Sequence, residues 1–526
     1  MTGTPHTLLR CLTMAALAAS VVAMPLRAQD GGAPLSAIGW LDQALAAPVP
    51  DPVMPSPLPQ DGAQDGPAVD FEPIASAPLD GAGLAATGLF TAERIGLPRN
   101  FWGEATLDQI TEAIAALPQD TLPSANRLML RVLIAEFAAP WGMSTADQAR
   151  LLLARVDALI RLGALEQAGQ LIDAAPEQTA ALAARAFDIA LLLGEEDRAC
   201  DQMSGRITLD QGQAARIFCM ARGGDWPAAH SALQIARNLG SLDADKAAVL
   251  ERFLEEEEGE NLLPPPQRTT PLTWRIMEAL GDPVTTATLP VAYAHADLRG
   301  TSGWRAQLDA AERLTRAGVM QPNRLLGLYT QRRPAASGGM WERVRAIQSL
   351  DQAIAARDNA RLGTVLDQAW ALFASAELEQ ALAEMTADTL ASLQLDGNGT
   401  DVLWKLLLLA RDHAERATEL APDSPTARFV MALAAGDPLP SGSGNGMAEA
   451  IALGFDPQED LPAALRADID AGAPGLVLLE ALRQIADASM GDLQAATRGL
   501  HRLRAIGLEE TARQIGVELM LLERRG

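Results

Sequence analysis

Three glycines constrain this chain more than any other feature. Gly163, Gly194 and Gly224 lie 31 and 30 residues apart, and each is followed five positions later by an alanine: Ala168, Ala199 and Ala229. A large apolar residue stands nine positions after each glycine, at Ile172, Met203 and Leu233. Glycine accepts the left-handed conformation that ends a helix. Alanine on the next helix lets two helix axes approach closely. The residue nine positions on falls on that helix's buried stripe. The spacing therefore predicts consecutive helical hairpins stacked side by side. It returns near the C-terminus at Gly491–Ala496 and Gly507–Ala512.

Composition agrees with helices. Hydrophobic residues make up 48% of the 526 residues, whereas aromatics are only 4%. Much of the apolar fraction is alanine, the best helix former. The β-branched and aromatic side chains that pack well on a pleated sheet are sparse. Period-3.6 stripes run through Leu107, Ile110, Ile114 and Leu117. A second set runs from Leu128 through Phe137 to a stop at Pro140, and a third runs from the Ser144-Thr145 cap to Ile160. The expected fold class is all-α.

This pattern resembles the tetratricopeptide repeat, whose unit is about 34 residues. The resemblance covers residues 151–236, 406–435 and 482–522. The middle of these reads Ala417-x-x-Leu420-Ala421-Pro422, then Ala427 and Val430. The repeats here are shorter than the family's, and Leu and Ile stand where the family places large aromatics. The resemblance implies an α-solenoid with a concave groove for a protein or peptide. Residues 271–393 are helical in pattern but carry no repeat phase.

The N-terminus reads as a secretory signal. Arg10 precedes a short apolar run, Leu12–Leu26, and cleavage is expected near Ala28. The run is too short for a stable membrane span. Residues 29–84 form a Pro/Gly-rich, disordered linker, with Pro48, Pro50, Pro52, Pro55, Pro57 and Pro59 in quick succession. Within it, Leu35–Ala46 has the pattern of a short amphipathic helix around Trp40. The expected division is therefore a signal at 1–28, a linker at 29–84, an N-terminal helical repeat segment at 85–262, an irregular helical segment at 263–400 and a C-terminal repeat segment at 401–526. Glu255–Glu258 and Pro264–Pro266 mark the first internal boundary. The expected location is the periplasm or beyond, with no membrane insertion once the signal is removed.

Charge narrows the partners. There are 67 acidic against 42 basic residues, a net charge of −25. Such a surface repels phosphate backbones, which disfavours nucleic acid. Two cysteines remain after the signal, Cys200 and Cys219. An oxidising compartment permits a disulfide between them, but buried free thiols on alanine-rich helices are the plainer expectation.

No pattern commits the chain to a reaction. The histidines lack metal-ligand spacing, and His413 is expected on a solvated face. Asp396–Asp401 lacks the glycine and the bidentate glutamate of a calcium loop. Gly442–Gly446 follows no strand, so it is not a dinucleotide fingerprint. Neither a metal nor another cofactor is expected. Two polar segments are candidate partner or anion contacts. Arg332 and Arg333 precede Ser337 and Trp341 at the start of a helix, where backbone donors hold anions, alongside a plainer reading as an N-capped connector. Tyr293, His295, Asp297, Arg299 and Trp304 form the other, alongside a plainer reading as packed rings with an Asp–Arg pair. The sequence thus points to a non-enzymatic scaffold or adaptor of a cell-envelope assembly. The alternative is an envelope hydrolase acting on glycan or peptidoglycan, or its accessory helical domain.

Overall fold

The computed structural model describes residues 83–204, 212–255, 266, 268–395, 399–411, 413–442, 444–456, 463–522 and 524. The signal, nearly all of the linker and the Leu35–Ala46 helix lie outside them. So do most of the acidic and proline run at 255–266 and parts of the loops at 396–401 and 442–446.

The described chain is all-α, apart from a two-residue parallel pair in which β1 (Phe90–Thr91) meets β2 (Ala135–Glu136). The first helices are α1 (Leu107–Ala115), α2 (Pro123–Ile134), α3 (Thr145–Arg161), α4 (Leu165–Asp173), α5 (Ala180–Leu193) and α6 (Glu196–Ser204). Next come α7 (Gln213–Arg222), α8 (Trp226–Asn238), α9 (Ala244–Leu254), α10 (Pro271–Ala279), α11 (Ala294–Asp297) and α12 (Trp304–Arg316). The third set is α13 (Pro322–Thr330), α14 (Gly339–Ala356), α15 (Asn359–Ala374), α16 (Glu379–Ala391), α17 (Gly399–Ala410) and α18 (Ala414–Leu420). The last are α19 (Pro425–Ala435), α20 (Gly446–Gly454), α21 (Ala463–Asp470), α22 (Pro474–Ser489), α23 (Leu493–Ala505) and α24 (Glu509–Leu521).

The glycine-to-alanine spacing has a direct structural cause. Gly163, Gly194, Gly224, Gly491 and Gly507 have φ of 82°, 81°, 86°, 101° and 84°. After each glycine the next amide donates to the carbonyl five residues back, as Ala164 does to Leu159 and Glu195 to Ala190. This bond closes the helix end and satisfies one of its orphan carbonyls. The partner alanines, Ala168, Ala199, Ala229, Ala496 and Ala512, are all at most 1% exposed. Each sits at a helix contact where a larger side chain would push the axes apart.

Two expected boundaries shift. The helix expected to run to Pro140 stops at Ile134, because Ala135–Glu136 pairs with Phe90–Thr91 and Phe137 stacks on Phe101 at 4.2 Å. Leu84 belongs to the folded body and not to the linker, since it is buried against α3 in a short 3-10 turn, Leu84–Ala86.

Helix α2 is buried along most of its length, including the polar Ser124 and Asn126. It packs against α3, α4, α22 and α24. Its N-terminal residues also reach α16 and the residue that follows α17. Arg127 pairs with Glu384 at 2.7 Å, and the Arg411 guanidinium donates to the Ser124 hydroxyl. That hydroxyl donates onward to Glu518, which also accepts from the Ser124 amide at 3.0 Å. Burial raises the Glu518 carboxyl above its ordinary range. The start and the end of the body therefore meet. Gly475 N donates to Phe101 O at 2.8 Å, and a side chain at Gly103 would strike the Gly472 carbonyl.

Arg155 fastens the N-terminal edge. It is 2% exposed and donates to four backbone carbonyls, of Leu133, Ala85, Thr87 and Ala135. With no carboxylate beside it, burial lowers its pKa to about 10.

A second, smaller core lies to one side. It joins Phe187 and Leu191 on α5, Ala199 on α6, Phe218 on α7, Leu233 on α8, Leu250 on α9 and Ile276 on α10. Cys200 on α6 and Cys219 on α7 are bonded to each other, with Cα atoms 5.3 Å apart. This corrects the expectation of free thiols. Packing through Ala214, Ala215 and Ala221 brings the two helices within reach of a disulfide.

Candidate binding site

The two sequence features that stood apart, the glycine turns and the polar segment at 293–304, come together in space. His295 Nε2 lies 2.7 Å from the Gly163 carbonyl. A carbonyl only accepts, so the ring carries its proton on Nε2 and its Nδ1 is the acceptor. Burial holds the imidazolium below its ordinary pKa, which keeps the ring neutral. Arg299 lies against Gly194, where a Cβ would come within 2.9 Å of its Cδ. Arg299 is held by the Ala296 carbonyl at 2.7 Å and by Glu278, and its guanidinium covers the Trp274 ring at 5.6 Å.

Between these turns and the segment lies a pocket of about 390 Å³. One wall is α4, with Leu165, Glu166, Gln170 and Asp173, and another is α5, with Ala186, Ile189 and Leu193. Glu195 and Arg198 close a third side, and His295, Leu298, Arg299 and Arg324 close the fourth. Arg198 is held by Asp173 at 2.8 Å and Glu195 at 2.9 Å. Glu166 and Arg324 have no ion pair within 4 Å among the described residues, and both act electrostatically on His295.

The remaining expected site residues do not join this pocket. Tyr293 is buried; its hydroxyl donates to Thr269 O at 2.9 Å and its ring meets Trp274 edge-on. Asp297 accepts from Thr286 and makes no pair with Arg299, so the expected Asp–Arg pair does not form. Trp304 donates to Leu328 O at 3.1 Å and packs on Trp341 with ring centroids 5.1 Å apart. Arg332, Arg333 and Ser337 are exposed on the connection before α14. That connection is pinned through its own carbonyls. Arg332 O accepts from Gln348, and Ala336 O accepts from Arg345, each at 2.7 Å. His413, partly covered, pairs with the solvated Asp388 at 2.9 Å.

Glu166, Asp173, Glu195, Arg198 and Arg324 were not expected from the sequence. A signal for two of them exists. Glu166 follows Gly163 by three residues and Arg198 follows Gly194 by four. The charges just past these two turns both line the pocket.

A second surface adjoins the smaller core. On α8 and its C-cap, Trp226 is 45% exposed, Ile235 59% and Leu239 74%. Ile235 and Leu239 are four apart and so share a helix face. Trp226, nine residues before Ile235, lies on the opposite side of the helix, and Trp141, Leu453, Met490 and Leu493 are exposed on other elements. Among the described residues no group of His, Cys, Asp and Glu is placed to hold a metal ion, and no helix is long and apolar enough to cross a membrane. No protein-family model matches the chain, and neither a curated protein nor a solved structure is similar enough to count as a match.

Proposed function

We propose that this chain is a non-enzymatic scaffold of a bacterial cell envelope, built as a solenoid of hairpins similar to tetratricopeptide repeats, that binds a protein partner. The five glycine turns with their buried alanines support the repeat reading. The apolar run with Arg10 before it supports export. In a repeat scaffold the usual recognition surface is the concave face. Here α2 packs against helices from both ends of the body, which moves recognition outward to the flank.

The observation that carries the reading is the exposed Ile235 and Leu239 face at the C-terminal end of α8. A photo-crosslinking residue at position 235, in protein exported to its own envelope, tests it. The expected result is one discrete crosslinked product that Leu239→Asp abolishes. The same residue at Gln368, an exposed position on α15, gives none. Equal crosslinking at both positions, or none at 235, would overturn the proposal.

A further inference from the structure

We infer that the pocket between α4, α5 and the 294–299 segment binds a small zwitterion, an α-amino acid with an apolar side chain. The inference is independent of the scaffold reading, because it rests on charges that the fold does not use.

Six ionised side chains line the pocket apart from His295: the carboxylates of Glu166, Asp173 and Glu195 and the guanidinium groups of Arg198, Arg299 and Arg324. Four of them already have structural roles. Arg198 bridges Asp173 and Glu195, and Arg299 is tied to Glu278. What remains is one carboxylate, Glu166 on α4, and one guanidinium, Arg324 on α13. They come from different helices, and neither has an ion pair among the described residues. A ligand carrying only an anion would gain Arg324 but would meet three carboxylates. A ligand carrying only a cation would face three guanidinium groups. A neutral ligand with one charge of each sign answers both.

The rest of the wall fixes the ligand's third group. Leu165, Ile189, Leu193 and Leu298 supply apolar surface beside the two charges. His295 is neutral with its donor committed to Gly163, so it adds an acceptor and no third charge. An ammonium on Glu166, a carboxylate on Arg324 and an aliphatic or aromatic side chain against the leucines complete the set. The lining is more polar than apolar, which suits a charged small molecule better than an apolar one.

Titration calorimetry on the full folded chain tests this with leucine, methionine and phenylalanine as probes. Saturable binding is expected for at least one of the three. N-acetylation and amidation of that amino acid each remove one charge, and each should weaken binding about tenfold or more. The variants Glu166→Gln and Arg324→Gln change exposed side chains, and an unchanged melting temperature verifies their fold. Glu166→Gln should bind the amino acid and its N-acetyl form equally weakly. Arg324→Gln should do the same with the amino acid and its amide. Inorganic phosphate is the control for a plain anion site. No heat from any of the three probes at millimolar concentration would overturn the proposal. So would tighter binding of phosphate, or variants that bind as the parent does.

Discussion

The body around α2 and the flank from α5 to α10 are both stacked helices, but they are held together differently. The body's core includes large side chains such as Phe101, Phe137, Tyr329 and Phe373, along with buried ionic residues such as Arg155 and Glu518. The flank has its own core of 17 residues, seven of them alanine. Alanine removes little apolar area from water, so such a core contributes less per residue. The flank carries the disulfide. Both regions expose large apolar side chains, the flank at Trp226, Ile235 and Leu239 and the body at Trp141, Leu453, Met490 and Leu493. The body is held by long-range buried contacts between its two ends, whereas the flank is stapled covalently.

The largest expected effect lies in the body. Replacing Glu518 with Leu leaves both Ser124 donors without their acceptor and removes the nearby carboxylate that favours the Arg411 charge. Breaking a buried polar network in this way costs about 3–5 kcal/mol. Arg155→Met strands four carbonyls and should cost a similar amount, about 3 kcal/mol or more. Urea unfolding monitored by circular dichroism should show either loss in the main transition. A shift confined to the flank would break the comparison.

Reduction of the disulfide comes next. Cys200 and Cys219 are 19 residues apart, and a loop of that size contributes about 3 kcal/mol through the unfolded state. The double variant Cys200→Ser, Cys219→Ser should open the flank in an earlier transition and leave the body's midpoint in place. A single unfolding transition shifted as a whole would mean that the two cores are one cooperative unit.

A titrating group sharpens the difference. Asp188 on α5 makes no ion pair within 4 Å among the described residues, and desolvation raises its pKa from 3.8 to about 6. An acid whose folded pKa is raised costs the fold stability once it ionises. The cost is present above pH 6 and disappears as pH falls toward 4. Asp188→Asn should therefore stabilise the protein by about 2 kcal/mol at alkaline pH. At pH 4 it should change little. Melting temperatures of the two proteins across that range provide the check.

The smallest effect concerns the turns. Gly491 has φ of 101° with open space around it, whereas a Cβ at Gly163 would also press on Val291 at 3.1 Å. Gly491→Ala should cost about 1 kcal/mol from backbone strain alone. Gly163→Ala should cost more, and equal costs would show that the 291–299 segment does not press on that turn.

The glycine turns and their buried alanines were legible because one backbone requirement, a left-handed residue ending a helix, selects one residue type and fixes its spacing to the next crossing. The all-α class followed from composition and period. What lay beyond reach is long range. Ser124 and Glu518 are 394 residues apart, and periodicity identifies a buried stripe but not the helix that covers it. The segment at 293–304 was singled out for its mixed chemistry. Its role in closing the pocket depends on Gly163 and Gly194, over a hundred residues earlier. The arginine pair at 332–333 looked equally polar in sequence, but its connection is pinned through main-chain carbonyls and leaves both side chains exposed. The disulfide needed the spacing of two helices, which residue counts do not provide.

Native-state hydrogen exchange tests the central claim most directly, that the body is centred on its own helix α2 while the flank opens independently. Amides of Pro123–Ile134 should exchange only through global unfolding. Those of Trp226–Asn238 should exchange earlier, through an opening that reduction of the disulfide accelerates. Amides of α2 that exchange as fast as those of α8 would contradict the account.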